Sequence, residues 1–134
     1  MQKPIFAKPS MSKKDLFQLV KKNPNAELFV VVDSKKRFLG DITLDDLFLM
    51  LLPNEQFNDI GADLAFDMEK KFFAKNAKEI MRKHDNSCNP NEKVMPVALR
   101  LAGLEVNEMP VINDKKEVVG VISQSLLIPH LNFK

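Results

Sequence analysis

Between Glu27 and Leu51 the apolar residues change rhythm twice. "LFVVV" is an unbroken run of strand formers that stops at Asp33. After the lysine-rich "SKKR" a second run, "FLGDI", leads to Thr43, and beyond it the apolar positions take a helical spacing. The expected elements are two strands joined by a hairpin turn, then a helix with Thr43 as its N-cap. The same succession returns later: "ELFVVVDSKKRFLGDITLDDLF" from Glu27 matches "EMPVINDKKEVVGVISQSLL" from Glu108 with a single-residue gap at the turn. In the second copy the first run ends near Asp114, the glycine is Gly120 and the capping hydroxyl is Ser123.

A helix is expected upstream of each hairpin. "SKKDLFQLV" opens with Ser12 and Asp15 at capping-box spacing. "MPVALRLAG" puts Pro96 in a first turn, where its missing N–H costs little, and Gly103 is expected just past the helix end. The unit is therefore helix, strand, strand, helix, used twice. Between the copies Phe57, Ile60, Leu64, Met68 and Phe72 form an amphipathic helical stripe. Asn76 and Glu79 open a further helix, so two helices are expected between the hairpins. The expected boundaries are 1–53 for the first repeat, 54–75 for a helical linker and 76–134 for the second repeat, an α+β chain.

Composition narrows the classes. With 134 residues, 45% hydrophobic and 28% charged, the chain is an ordinary globular protein with room for two small repeats. The net charge of +2 lacks the concentrated basic field of a nucleic-acid binder, and "KKR" at 35–37 reads as a solvated hairpin tip. The single cysteine, Cys88, excludes an intrachain disulfide. No apolar run reaches the ~18 residues of a membrane span, and "MQKPIFAKPS" lacks a signal-peptide core. A cytoplasmic protein with no membrane or nucleic-acid partner is expected.

"HDNSC" at 84–88 carries the residue types of a nucleophilic site, His84, Asp85 and Cys88, but no oxyanion-hole signature accompanies them. Cys88 reads as a small buried hydrophobe in the strand before a helix, and His130 as a cap or surface residue. Two histidines and one cysteine match no zinc spacing, and no glycine-rich phosphate loop is present. The expectation is no enzyme, no metal and no required cofactor. A small hydrolase using His84 and Cys88 is the outlying alternative.

The order and duplication of "VVVD…GxxTxxD" and "PVxxD…GxxSxxx", with "EIM" at 79–81 leading into the second copy, resembles the tandem CBS domain, the pair known as a Bateman module. That resemblance implies two repeats packed about a pseudo-twofold axis with two related clefts, adenosine-containing ligands such as AMP, ADP or ATP, pairing into a homodimer, and sensing on behalf of a separate effector protein. It places Thr43 and Asp46 at a ligand's phosphate and ribose, Ile5 and Phe6 at the base, and Ser123 in the second cleft.

The residues themselves leave this open. Glycine would let the chain pass close to a ligand, and a hydroxyl at a helix start favours phosphate. A carboxylate one turn on can accept hydrogen bonds from a ribose diol. Thr43 and Asp46 also have the spacing of a plain capping box, as Ser12 and Asp15 do. Leu126 stands where the aspartate would be in the second copy, so the cleft around Thr43 and Asp46 is the one expected to fill. Asp41 puts a charge in a strand where the second copy has Val121; facing solvent it is harmless, facing the cleft it repels phosphate. A ligand-free dimerisation or scaffold domain of the same fold is the alternative function.

Overall fold

The computed structural model describes residues 1–53 and 66–132. The chain divides into two compact units whose membership does not follow chain order: Ile5–Asp33 with Leu39–Lys83, and Met1–Pro4 with Ser34–Phe38 and His84–Lys134.

In the unit containing Ile5–Asp33, β1 (Phe6–Ala7) runs parallel to β2 (Leu28–Val32), which is bonded in turn to β3 (Phe38–Thr43). All five residues of β2 are buried, as an unbroken apolar run demands of a strand covered on both faces. Helix α1 (Lys13–Lys22) starts at a reciprocal capping box: Asp15 N–H donates to Ser12 Oγ (3.2 Å) and Ser12 N–H to Asp15 Oδ2 (3.1 Å). Helix α2 (Leu44–Leu51) follows β3 directly, and α3 (Phe66–Phe72) and α4 (Ala77–Ile80) are the two helices expected after it. Asn76 caps α4 by accepting the Glu79 N–H at 2.9 Å. Phe29 and Val31, on one face of β2, close a core with Leu16, Ile42, Leu47, Met50 and Ile80. Phe72 of the amphipathic stripe is fully buried; Phe57, Ile60, Leu64 and the Met68 side chain lie outside the described residues.

In the other unit α5 (Val94–Leu104), β4 (Glu108–Ile112), β5 (Val118–Ser123) and α6 (Gln124–Leu127) repeat the succession. The hairpin pairs Glu108 with Ser123 and Val111 with Gly120, with a register shift between Val111 and Ile112. Cys88 bridges Val111 in parallel, the counterpart of β1, and packs with Val97, Leu101, Met109 and Leu127 in a separate core. Helix α6 is short, and a 3-10 turn at Ile128–His130 carries Pro129 and an exposed His130. Lys36 (φ 63°) and Lys116 (φ 66°) take the left-handed conformation at matching places in the two hairpin turns. The 35–37 tip is exposed, as expected.

Each hairpin gains a further strand segment at its second strand. Asp41 N–H donates to the Arg82 carbonyl (3.1 Å) and Arg82 N–H to the Asp41 carbonyl (2.7 Å); Gln2 and Val121 exchange the same pair of bonds at 2.8 and 2.9 Å. Met81-Arg82-Lys83 thus stands to one copy as Met1-Gln2-Lys3 does to the other. The glycines owe their place to these segments. A Cβ on Gly40 would lie 2.5 Å from the Arg82 carbonyl oxygen, and one on Gly120 would run into the Met1 side chain. Close passage of the chain itself accounts for both.

Helix α5 corrects another expectation. It continues through Gly103 to Leu104, and the left-handed cap is Glu105, at φ 57°. Leu101 and Val106 pack in the same core, and the Val106 N–H reaches the Leu101 carbonyl at 3.2 Å; this contact sets the end of the helix beyond the glycine. Gly103 therefore sits inside the helix with nothing within 4 Å of a would-be Cβ. Gly103→Ala is expected to stabilise the protein by about 0.5–1 kcal/mol, read as a higher urea midpoint at unchanged slope.

Candidate functional site

The first turn of α2 is where the sequence concentrated its expectations. Thr43 ends β3 in an extended conformation and its Oγ1 accepts the Asp46 N–H at 3.3 Å, a true N-cap. Asp46 does not complete the box as Asp15 does. Its carboxylate is turned instead to the Lys71 ammonium of α3, Oδ1 to Nζ 3.0 Å, with 8% of the Asp46 side chain and 37% of the Lys71 side chain exposed. Asp45, its exposed neighbour, adds a second carboxylate to the same turn. The Leu44 N–H is taken by the Glu27 carbonyl at 3.0 Å. Two of the backbone donors that a helix start could offer an anion are thus already engaged within the chain.

Ile5 and Phe6 lie in the same unit, half-buried at the β1 edge; the Ile5 carbonyl accepts the Val30 N–H at 2.9 Å, and Ile5 packs against the core. Ser123 lies in the other unit. It is buried, its Oγ accepts the Leu126 N–H at 3.3 Å as the cap of α6, and it lies 3.1 Å from Ser125 Oγ. The second copy thus repeats the cap without the carboxylate.

Asp41 faces neither solvent nor an open anion site. It is 1% exposed, and both Nε and Nη2 of Arg82 approach its Oδ1 at 2.9 Å. The charge expected to repel phosphate is neutralised where it stands. Arg82 and Lys71 are the residues sequence reasoning missed. The signal for Arg82 was that Gln2, its counterpart, stands opposite the uncharged Val121.

Of the "HDNSC" segment, Asp85, Asn86, Ser87 and Cys88 line an open cavity of about 520 Å³ with Asn89, Glu92, Arg100 and Asn113, and His84 does not. Glu92 and Arg100 satisfy each other there. Arg100 forks onto Glu92 at 2.9 and 2.6 Å and also donates to the Ser87 carbonyl at 2.9 Å. The Arg100 hydrogen bonds, then that of the Asn89 N–H, lower the Glu92 pKa to about 2. Burial, and secondarily the Glu92 charge, pushes the Cys88 thiol up to about 11. A thiol so placed stays protonated at neutral pH and is no nucleophile. His84 Nδ1 accepts the Asn86 N–H at 3.0 Å, and its ring lies 5.5 Å from that of Phe38. Among the described residues no group of three or more His, Cys, Asp or Glu side chains could hold a metal, and no helix is long and apolar enough to cross a membrane.

A duplicated helix-strand-strand-helix unit, each copy ending in a hydroxyl-capped helix, defines the class of paired α+β repeats. The CBS domain family profile matches residues 1–52 and 77–131, and the chain belongs to that family as a tandem pair. Solved structures agree on the fold. CBSX2 of Arabidopsis thaliana in complex with AMP is 17% identical, with a TM-score of 0.71 over 93% of this chain and 84% of that one. The CBS domain pair of protein MJ0100, with 5′-methylthioadenosine and S-adenosyl-L-methionine, is 22% identical, with a TM-score of 0.72 over 97% and 89%. The cytosolic domain of the Mg2+ channel MgtE with ATP is 17% identical, with a TM-score of 0.71 over 96% of this chain and 45% of that chain. At these identities the likeness is one of fold. Among curated proteins no sequence relative is found.

Proposed function

We propose that the chain is a cytoplasmic regulatory module that binds an adenosine-containing ligand of the AMP, ADP or ATP type beside Thr43 and Asp46 and reports occupancy to a separate effector protein. CBS pairs are regulatory rather than catalytic modules, and the structures named above carry AMP, ATP or S-adenosylmethionine-type ligands. The observation that carries the reading is Asp46: a carboxylate 6% exposed, at the start of a helix, held by a lysine instead of being spent on the cap. Such a group can accept two ribose hydroxyls, with Ile5 and Phe6 offering apolar contact to a base. Ser123 supplies the matching hydroxyl in the second copy, where Leu126 removes the acceptor. No metal or cofactor enters this scheme. The repeats are taken as 1–53 and 76–134 with 54–75 as linker. Two copies pair through exposed apolar helix positions such as Phe17, Phe48 and Leu99.

The second reading, a ligand-free scaffold, is favoured by the engaged Leu44 and Asp46 N–H groups, which offer nothing to a phosphate. Titration with AMP, ADP and ATP separates the two. Asp46→Ala is expected to weaken binding roughly ten- to a hundred-fold, the loss of a charge-assisted hydrogen bond of ~1.5–3 kcal/mol, while Leu126→Ala leaves it unchanged. The chain has no Trp and no Tyr, so a retained nucleotide shows directly as absorbance near 260 nm. If none of the three ligands shifts the melting temperature of the wild type, the scaffold reading stands in its place.

A further inference from the structure

A nucleotide differs from a nucleoside by its phosphate, and the start of α2 is badly equipped to receive one. Its Leu44 and Asp46 N–H groups are engaged by Glu27 and Thr43, and Asp45 and Asp46 put two carboxylates in its first turn. Lys71 is a cation that the fold brings to this turn, 3.0 Å from Asp46 Oδ1. The two partners differ in freedom. Asp46 is fixed in the protein, whereas Lys71 keeps 37% of its side chain in water, on a stem with several rotatable bonds. Its ammonium can lean from the carboxylate toward an arriving anion and stay within reach of both.

We propose that Lys71 decides whether the site accepts phosphorylated ligands: it offsets the charge of Asp46 and puts an ammonium within reach of a phosphate there. This rests on the reading of Asp46 as the ribose acceptor. A phosphate on a ribose held at Asp46 lies within the ~8 Å Debye length of physiological salt, so it feels whichever charge the Asp46–Lys71 pair leaves uncancelled. Without the lysine, the neutral nucleoside meets a better acceptor and the nucleotide meets a bare negative charge.

The test is calorimetric titration of adenosine and AMP into the full chain as wild type, Lys71→Met and Lys71→Arg. In Lys71→Met the ratio of AMP to adenosine affinity should fall about ten-fold, the effect of one unit charge several ångströms away at a protein surface. Lys71→Arg should hold the ratio within about three-fold of wild type. If Lys71→Met does not fold, wild type titrated at rising salt answers the same question: AMP affinity should fall and adenosine affinity should not. An unchanged ratio in Lys71→Met, or AMP binding indifferent to salt, overturns the role of Lys71 and leaves that of Asp46 standing. A wild type that binds neither compound overturns both.

Discussion

Replacing Arg82 by glutamine is expected to lower the stability of the protein by about 3 kcal/mol, with a fall in melting temperature of about 10 °C. The reason is what Arg82 leaves behind. Asp41 is 1% exposed, and its Oδ1 receives both Nε and Nη2 of Arg82 at 2.9 Å; without them a buried carboxylate has lost the guanidinium that neutralises it. Arg82 itself is 37% exposed, which keeps the cost toward the low end for breaking a buried pair. The second copy shows how to undo the damage. There the bridged residues are Val121 and Gln2, with no charge on either side. Asp41→Val combined with Arg82→Gln should therefore recover most of the loss, to within about 1 kcal/mol of wild type, because an apolar replacement of a buried pair is often neutral or better. Urea midpoints of the two single variants and the double decide it. If Arg82→Gln unfolds no more easily than the double variant, Asp41 has found water and the pair contributes little.

That comparison also marks the boundary of what the sequence made legible. The duplicated hairpins, the caps at Ser12, Thr43, Asn76 and Ser123, and the two helices between the copies all follow from rules acting within a few residues, and all stand in the structure. The partners of Asp41 and Asp46 do not. Arg82 and Lys71 are remote in the chain, and no local string specifies a tertiary contact. Thr43-x-x-Asp46 and Ser12-x-x-Asp15 are the same pattern, yet only the second closes reciprocally, because Lys71 draws the Asp46 carboxylate away. At Gly103 a correct local preference lost to packing: Leu101 and Val106 meet in the core, and the helix ends where that contact allows. Asp41 was legible as an anomaly but not as a pair. Its answer lay in the segment before the second copy, where Arg82 replaces Gln2 at the position that faces it.

Gly40→Ala is expected to cost about 3 kcal/mol, the upper end for inserting a methyl group into filled space, and Gly120→Ala only about 1 kcal/mol. The two glycines match in the repeat, so a shared need for flexibility, or for an approaching ligand, would predict equal costs. Their surroundings predict otherwise. The new Cβ at residue 40 would meet the Arg82 carbonyl at 2.5 Å and Met81 Sδ at 3.1 Å, and that carbonyl is already tied to the Asp41 N–H in a two-bond bridge. Moving it breaks the bridge and pulls Arg82 away from Asp41, so the steric and electrostatic losses arrive together. At residue 120 the first atoms met belong to the end of the Met1 side chain, itself 66% exposed, while the Gln2 carbonyl stands off at 3.3 Å. A flexible thioether can swing out to water; a bonded backbone cannot. Combining Gly40→Ala with the Asp41→Val/Arg82→Gln background separates the terms: the cost that remains there is steric, and any part that vanishes was carried by the ion pair. Equal destabilisation at 40 and 120, measured by denaturant titration, would mean that the passing segments are not what hold the two positions at glycine.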